Sequence, residues 1–327
     1  MCYSTQCWAH WRKYQKEFGV RIAIRDFALL YGYKRRAAAA GKKVYTPKGL
    51  DDSFRDPQTP EEAEIWAIVE ELNKATAEAK QREFFEQRTR HVEAERKLQT
   101  KVTKKAQNDL RVSANKMKDA RFKLDELARV EPKADDGRIF DMWWAPVMVL
   151  EAGELVVKPM RYHCRLDGWH AGMEGNYGTY NARRDSFATT WKKQFGYQHG
   201  IMLMNRFYEN VKLHDYQQRA LRPGEPEENM VLEFRPRPDH DMLVACLWHH
   251  SKGFGDELPE FYSFAIITDE PPPEVAAAGH NRCPVPTKRE NMMAWLAPDP
   301  ARLDLLQAIL DDRDRPFYEH EVEKRAA

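Results

Sequence analysis

A chain of 327 residues can bury a sizeable core, and its 52 Lys and Arg against 51 Asp and Glu leave a formal charge of +1. That balance excludes a global polycation, so any nucleic-acid site has to be a local patch of Lys and Arg. No run approaches the ~20 apolar residues of a membrane span, so no membrane partner is expected; five cysteines, odd in number and without a CxxC pair, speak against a disulfide framework and point to a reducing cytoplasm.

The chain opens Met1-Cys2. Loss of Met1, by an aminopeptidase or by the protein itself, leaves a thiol and an α-amine on one Cα. That pair can trap an aldehyde as an imine and close it to a five-membered thiazolidine; toward an acyl group, sulfur attacks with the amine as a built-in base. Unperturbed, the amine titrates near ~8 and the thiol near ~8.5, so both are usable at neutral pH. Read alone, a cysteine beside a terminus is more often incidental.

Residues 1–58 mix aromatics with basic residues: Trp8, Trp11, Tyr14, then Arg21, Arg25, Lys34, Arg35 and Arg36. A polar linker, Asp51 to Pro60, closes this part. From Glu61 to Glu131 there is no Gly or Pro, and the strong helix formers Glu, Lys, Arg, Gln and Ala dominate. Pro60 followed by Glu61 and Glu62 is a good helix start. Apolar residues recur at helical spacing (Ile65, Val69, Leu72, later Leu110, Met117, Leu124, Leu127), but the stripe thins between about 75 and 100. The pattern predicts one or two long helices over 59–132, as an antiparallel hairpin or coiled-coil arm. Its mixed charges read as a solvated face, with a DNA or protein partner as the alternative.

Residues 133–327 read as β-rich. Glu154–Lys158, Ile201–Phe207, Met230–Phe234, Met242–Trp248 and Tyr262–Thr268 have strand length with β-branched or aromatic enrichment, and Pro-rich turns punctuate them. A late helix is expected over Ala301–Leu310. The fold class is therefore α+β, a β-rich core with a long helical insertion.

Three short constellations carry chemistry. Tyr180-Asn181-Ala182-Arg183-Arg184-Asp185 follows a Gly-rich approach; Asn offers donor and acceptor, and two adjacent Arg can clamp a phosphate. On its own it is a polar turn. Asn205-Arg206-Phe207-Tyr208-Glu209 ends an apolar strand with a carboxylate, whose pKa bulky neighbours can raise for proton transfer; the plain reading is a strand-end acid. Gly279-His280-Asn281-Arg282-Cys283-Pro284-Val285 puts His280, a natural acid–base group, near an Arg in a turn. His249-His250 beside Cys246 lacks a matching ligand pair, so neither metal nor cofactor is expected.

In this order, Met-Cys, Asn-Ala-Arg, Phe-Tyr-Glu and His-x-Arg-x-Pro-Val, the motifs resemble those of the SOS-response-associated peptidase family, the abasic-site processing proteins. Tyr262–Thr268 is similar to the family's strand before its histidine motif, Met160-Arg161-Tyr162 through Gly168-Trp169 to its Met-Arg-Trp-Gly segment, and Ala145-Pro146 to its Ala-Pro element. The resemblance covers residues 1–20 and about 138–300. It implies mixed sheets around a barrel-like centre. It also implies that Cys2, freed of Met1, crosslinks to the ring-opened aldehyde of an abasic site in single-stranded DNA. Asn181 is then the residue that holds the cysteine and the sugar remnant, Glu209 the acid–base carboxylate, and His280 the histidine assisting ring-opening and reversal. Arg183, Arg282 and Arg161 are implied DNA contacts, and Trp169 an aromatic wedge beside the lesion. The expected setting is cytoplasmic, at the nucleoid when acting on DNA.

The chain also departs from the family pattern. Tyr3-Ser4-Thr5 replaces Gly-Arg-Phe, Asn210 stands for Trp, Asn281 for Asp, and Asp185 for Glu. Two other classes remain open at this point. An N-terminal-nucleophile amidohydrolase or glutaminase also begins Met-Cys, although Tyr3 stands where those enzymes carry Gly. A non-catalytic DNA-binding coiled-coil scaffold would leave Cys2 incidental.

Overall fold

In the computed structural model the described residues are 2–175, 177–252 and 260–323, the side chains of Cys2 and Tyr3 excepted. The chain divides into two compact units, Met1–Glu62 with Ala134–Ala327, and Ala63–Lys133.

The first unit is built on thirteen strands: β1 Cys2–Cys7, β2 Arg21–Ile22, β3 Arg138–Phe140, β4 Trp144–Glu151, β5 Glu154–Tyr162, β6 Asn181–Arg183, β7 His199–Lys212, β8 Asn229–Arg237, β9 Met242–Lys252, β10 Glu260–Asp269, β11 Cys283–Pro284, β12 Pro286–Thr287 and β13 Phe317–Val322. The pairings β7–β9, β9–β10, β10–β5, β5–β4 and β4–β7 close a five-stranded barrel, in which only β10–β5 is parallel. Closure removes the edges that an open sheet would expose. It also explains why the strands do not alternate: His199–Met204, Met242–Leu247 and Ser263–Thr268 are buried at every position, as expected where both faces are covered. The fold is thus α+β, with a closed barrel, additional strands and a long helix.

Each expected strand is present and longer than the apolar run that announces it. β4 lay hidden because Pro146 interrupts it; in the structure Pro146 pairs with Pro159 of β5. The two strands are joined by the two-residue turn Ala152-Gly153, both at positive φ, the geometry a tight hairpin requires. The basic–aromatic N-terminal segment forms α1 (Arg12–Phe18), α2 (Ile24–Ala39) and α3 (Lys48–Asp52). Its rings gather on Phe54, with Trp11, Phe27 and Tyr31 at centroid distances of 5.8, 5.7 and 5.5 Å.

β7 is the strand that positions chemistry. Its first half belongs to the barrel; its second half runs on between β1 and β8.

The second unit is helical, formed by most of α4 (Pro60–Thr100, 41 residues) and by α5 (Lys104–Ala128, 25 residues). At 1.5 Å per residue α4 is roughly 60 Å long. The two helices run antiparallel: His91 Nδ1 lies 2.9 Å from Ser113 Oγ, and Arg90 is ion-paired to Asp109 at 2.6 Å. Along α5 the less exposed residues are Ala106, Leu110, Ser113, Met117, Ala120, Leu124 and Leu127, spaced alternately four and three apart. This is a coiled-coil seam in which small residues alternate with large ones.

Candidate active site

The geometry converges on the second half of β7. In the antiparallel β1–β7 ladder Cys2 stands opposite Glu209, and the register shifts between Cys2 and Ser4, so that Ser4 pairs with Tyr208. This is a β-bulge at Tyr3, a device that re-aims a neighbouring side chain. The thiol of Cys2 and all of Met1 lie outside the described residues. The other four thiols do not compete as nucleophiles. Cys7, Cys164, Cys246 and Cys283 are buried, and burial pushes Cys7 and Cys164 up to about 12 and the other two upward as well.

Glu209 is fully buried, and its Oε2 lies 3.1 Å from Nε2 of His280. His280 reaches this position from a turn that only glycine can open. Gly279 has φ +91°, and a Cβ there would stand 2.8 Å from Val211 Cγ1 on β7. Nδ1 of His280 is 2.9 Å from the Arg282 carbonyl. A carbonyl only accepts, so Nδ1 carries a proton and Nε2 is the nitrogen turned to Glu209. Burial pulls the imidazole down to about 3. Nε2 and Oε2 thus stand within reach of one shared proton. This is the arrangement from which a proton can be lent to a substrate oxygen and returned.

Asn181 comes from another direction. β6 runs parallel to β10 with Asn181 paired to Ile266 and Arg183 to Thr268, while on the other side of β10 Thr268 pairs with Pro284. The Asn-Ala-Arg and His-x-Arg motifs are thereby held on two sides of one strand. Asn181 is buried, yet among the described residues neither Oδ1 nor Nδ2 has a partner. A buried amide left so costs about 1–3 kcal/mol, and such groups cluster where a ligand completes them. Thr268 Oγ1, also buried, has no partner either among the described residues.

The two motifs are joined by a carboxylate. Oδ2 of Asp185 accepts from Arg183 Nη2 at 2.7 Å and from Arg282 Nη2 at 2.8 Å. A single oxygen taking two guanidinium donors is the pattern in which Arg pairs hold a phosphate oxygen. Sequence reasoning saw Asp185 only as a departure from Glu; the signal for its bridging role was its position two residues after Arg183.

Three expectations about cations and aromatics are adjusted. Arg184, adjacent to Arg183, does not share the clamp: it pairs with Asp269 at 3.1 Å and Asp311 at 2.7 Å. Arg161, expected at phosphate, is instead turned inward. Glu174, itself 3% exposed, holds both Arg161 and Arg165, and both guanidinium groups lie over the Phe261 ring at 4.5 and 4.7 Å. A charge spent in a buried triad is not available to DNA, so Arg161 is a packing residue that ties β5 to the following loop. Trp169, on that loop, is half-buried and sits 5.0 Å from the exposed ring of Tyr177, so a second aromatic stands beside it.

Beyond His280 an open cleft of about 760 Å³ is lined by Asp215, Arg219, Glu270, His280 and Asn281. Among the described residues no three His, Cys, Asp or Glu are grouped to hold a metal ion, and no helix is long and apolar enough to cross a membrane.

Comparison with known proteins shows the family. The family model described as SOS response associated peptidase (SRAP) matches residues 76–326. Among solved structures, a protein from Bordetella bronchiseptica is 14% identical over 60% of this chain and 90% of its own, with a TM-score of 0.45. A protein from Bacteroides thetaiotaomicron is 11% identical over 57% and 78%, with a TM-score of 0.44. A phage-related protein from Bordetella bronchiseptica is 18% identical over 58% and 82%, with a TM-score of 0.42. No curated protein matches.

Proposed function

Because the chain belongs to the SOS-response-associated peptidase family, we propose that it removes its own Met1 and then uses Cys2 to form a covalent thiazolidine crosslink with abasic sites in single-stranded DNA. Family membership supports a DNA-damage-associated peptidase role at the coarse level. The crosslinking chemistry is our reading of the residues, and the observation that carries it is the Glu209–His280 pair opposite the Cys2 backbone.

The steps follow from the groups present. An abasic deoxyribose is mostly ring-closed, and protonation of its ring oxygen frees the C1′ aldehyde. The α-amine of Cys2 adds to that carbon. The resulting hydroxyl leaves as water once protonated, giving an imine. The thiol then adds to the imine carbon, its proton passing to nitrogen, and the five-membered ring closes. Two proton deliveries are needed, and the Glu209–His280 pair carries one mobile proton that water can replenish. Asn181, with its unused amide, is the group we assign to holding the sugar remnant. Arg183 and Arg282 take the flanking phosphates, and Trp169 with Tyr177 offers the aromatic platform on which a neighbouring base stacks. The same nucleophile serves removal of Met1, where the scissile bond precedes Cys2.

The test is incubation of the purified protein with a single-stranded oligonucleotide carrying one abasic site. A heat-stable shifted band is expected with wild type and not with Cys2→Ala; a band unaffected by Cys2→Ala overturns the reading. Cys2-dependent amide hydrolysis without any band would favour the amidohydrolase class instead.

A further inference from the structure

The turn joining the two long helices carries a concentrated charge that the core reaction does not use. Residues 96–108 contain Arg96, Lys97, Lys101, Lys104 and Lys105, all exposed, and no Asp or Glu. At the other end of α4, residues 61–73 hold five acids and no Lys or Arg. The two ends of α4 thus carry opposite charge, while the stretch between them is mixed.

Helix physics explains only part of this. Acids at the start of α4 and cations at its end complement the helix dipole. Lys104 and Lys105 do the opposite: they open α5, where the partial charge of the helix end is positive and no acid occupies the first turn. Thr103 fixes that start by accepting from the Ala106 N–H at 3.2 Å, so both lysines are held in the first turn. Elsewhere on the hairpin several cations are matched, as Lys80 with Glu83, Arg90 with Asp109 and Arg129 with Glu126. The nearest acids to the tip, Glu95 and Asp109, face His91 and Arg90. None of the five tip cations is ion-paired among the described residues.

We propose that this tip is a second binding site for the sugar–phosphate backbone of nucleic acid, independent of sequence and of any lesion. The partner is argued from composition. Only Val102 among the tip residues is apolar and strongly exposed, so an anchor for a protein partner or a bilayer is missing. Four compact, hydrated ammonium groups and one guanidinium suit phosphates, whose neutralisation releases bound counterions. The site shares with the proposed core reaction only the class of polymer, and it is tested on DNA without a lesion.

The experiment measures binding of the full-length protein to intact single-stranded and intact duplex oligonucleotides across a salt series. One variant combines Lys97→Gln, Lys101→Gln, Lys104→Gln and Lys105→Gln. The expected loss is about tenfold or more in affinity at low salt. The slope of log K against log salt should flatten by about 0.7 for each phosphate no longer neutralised on a single strand, or about 0.9 on duplex. The strand type that shows the flattening identifies the form bound. A second variant, Lys104→Glu with Lys105→Glu, is expected to melt at a higher temperature than wild type while binding more weakly, which separates weakened binding from impaired folding. Unchanged affinity and slope in the fourfold variant overturn the proposal, as does an equal loss of binding to polyglutamate. Failure of the crosslinking reaction alone leaves these slopes intact, so the two readings fail separately.

Discussion

The Glu209–His280 pair is the smallest unit on which the proposed mechanism depends. Glu209→Gln keeps the shape and offers an N–H toward Nε2, but it cannot exchange a proton with a substrate. Acid–base groups of this kind are worth about 10²–10⁴-fold. Crosslink formation by Glu209→Gln is therefore expected to slow by about 10²-fold, with Met1 removal less affected; equal single-turnover rates in mutant and wild type would contradict the role. Asp185 acts in the opposite sense, because its carboxylate occupies the place between Arg183 and Arg282 that a phosphate would take. Exposed pairs of this kind contribute ~0.2–1 kcal/mol, so Asp185→Asn should tighten binding of intact single-stranded DNA by about two- to fivefold. Equal or weaker binding in a titration would remove the idea that Asp185 competes. At this scale the sequence named Asn181, Glu209 and His280 through their motifs. It misjudged Arg161 because a run of residues does not show that Glu174 and Phe261 wait inside for its charge.

Elements set where those side chains meet. β7 carries Glu209 beyond the barrel, and the bulge at Tyr3 and the turn at Gly279 bring the two other motifs toward it. Apolar runs made the strands legible in outline. The pairing of β6 with β10 was not, because three residues of a polar turn bear no strand signature. A second element is held by His199, remote from the proposed chemistry. Its Nε2 accepts from Gly196 N–H at 2.9 Å, its Nδ1 donates to the Trp295 carbonyl at 3.0 Å, and its ring lies 3.9 Å from that of Trp295. Acceptance at Nε2 requires the neutral imidazole, and burial pulls its pKa to about 3. Between pH 6.5 and 3 the unfolded chain binds a proton that the native state refuses, so stability is full above about 6.5 and falls as pH drops through that window. The contribution is on the order of 1.4 kcal/mol per pH unit. The urea midpoint of wild type should fall from pH 7 to pH 5, and His199→Gln should flatten that dependence. A mutant slope identical to wild type would contradict the assignment.

For the whole molecule, fold class and the long helices were readable from composition, since seventy residues without Gly or Pro have few other solutions. Barrel closure came only with the family resemblance, because contiguous burial in β7, β9 and β10 looks in sequence like any interior strand. The closed ring explains why a short N-terminal strand has chemical consequence: β1 is laid along β7, where its first residue meets Glu209. The central claim is that Cys2 acts through both its thiol and its freed α-amine. Intact mass of the adduct with an abasic single-stranded oligonucleotide tests this most directly. The expected mass is that of the chain without Met1, plus the oligonucleotide, minus one water, and it stays unchanged under borohydride, which would add two hydrogens to an imine. An adduct that retains Met1, or one formed without loss of water, would contradict it.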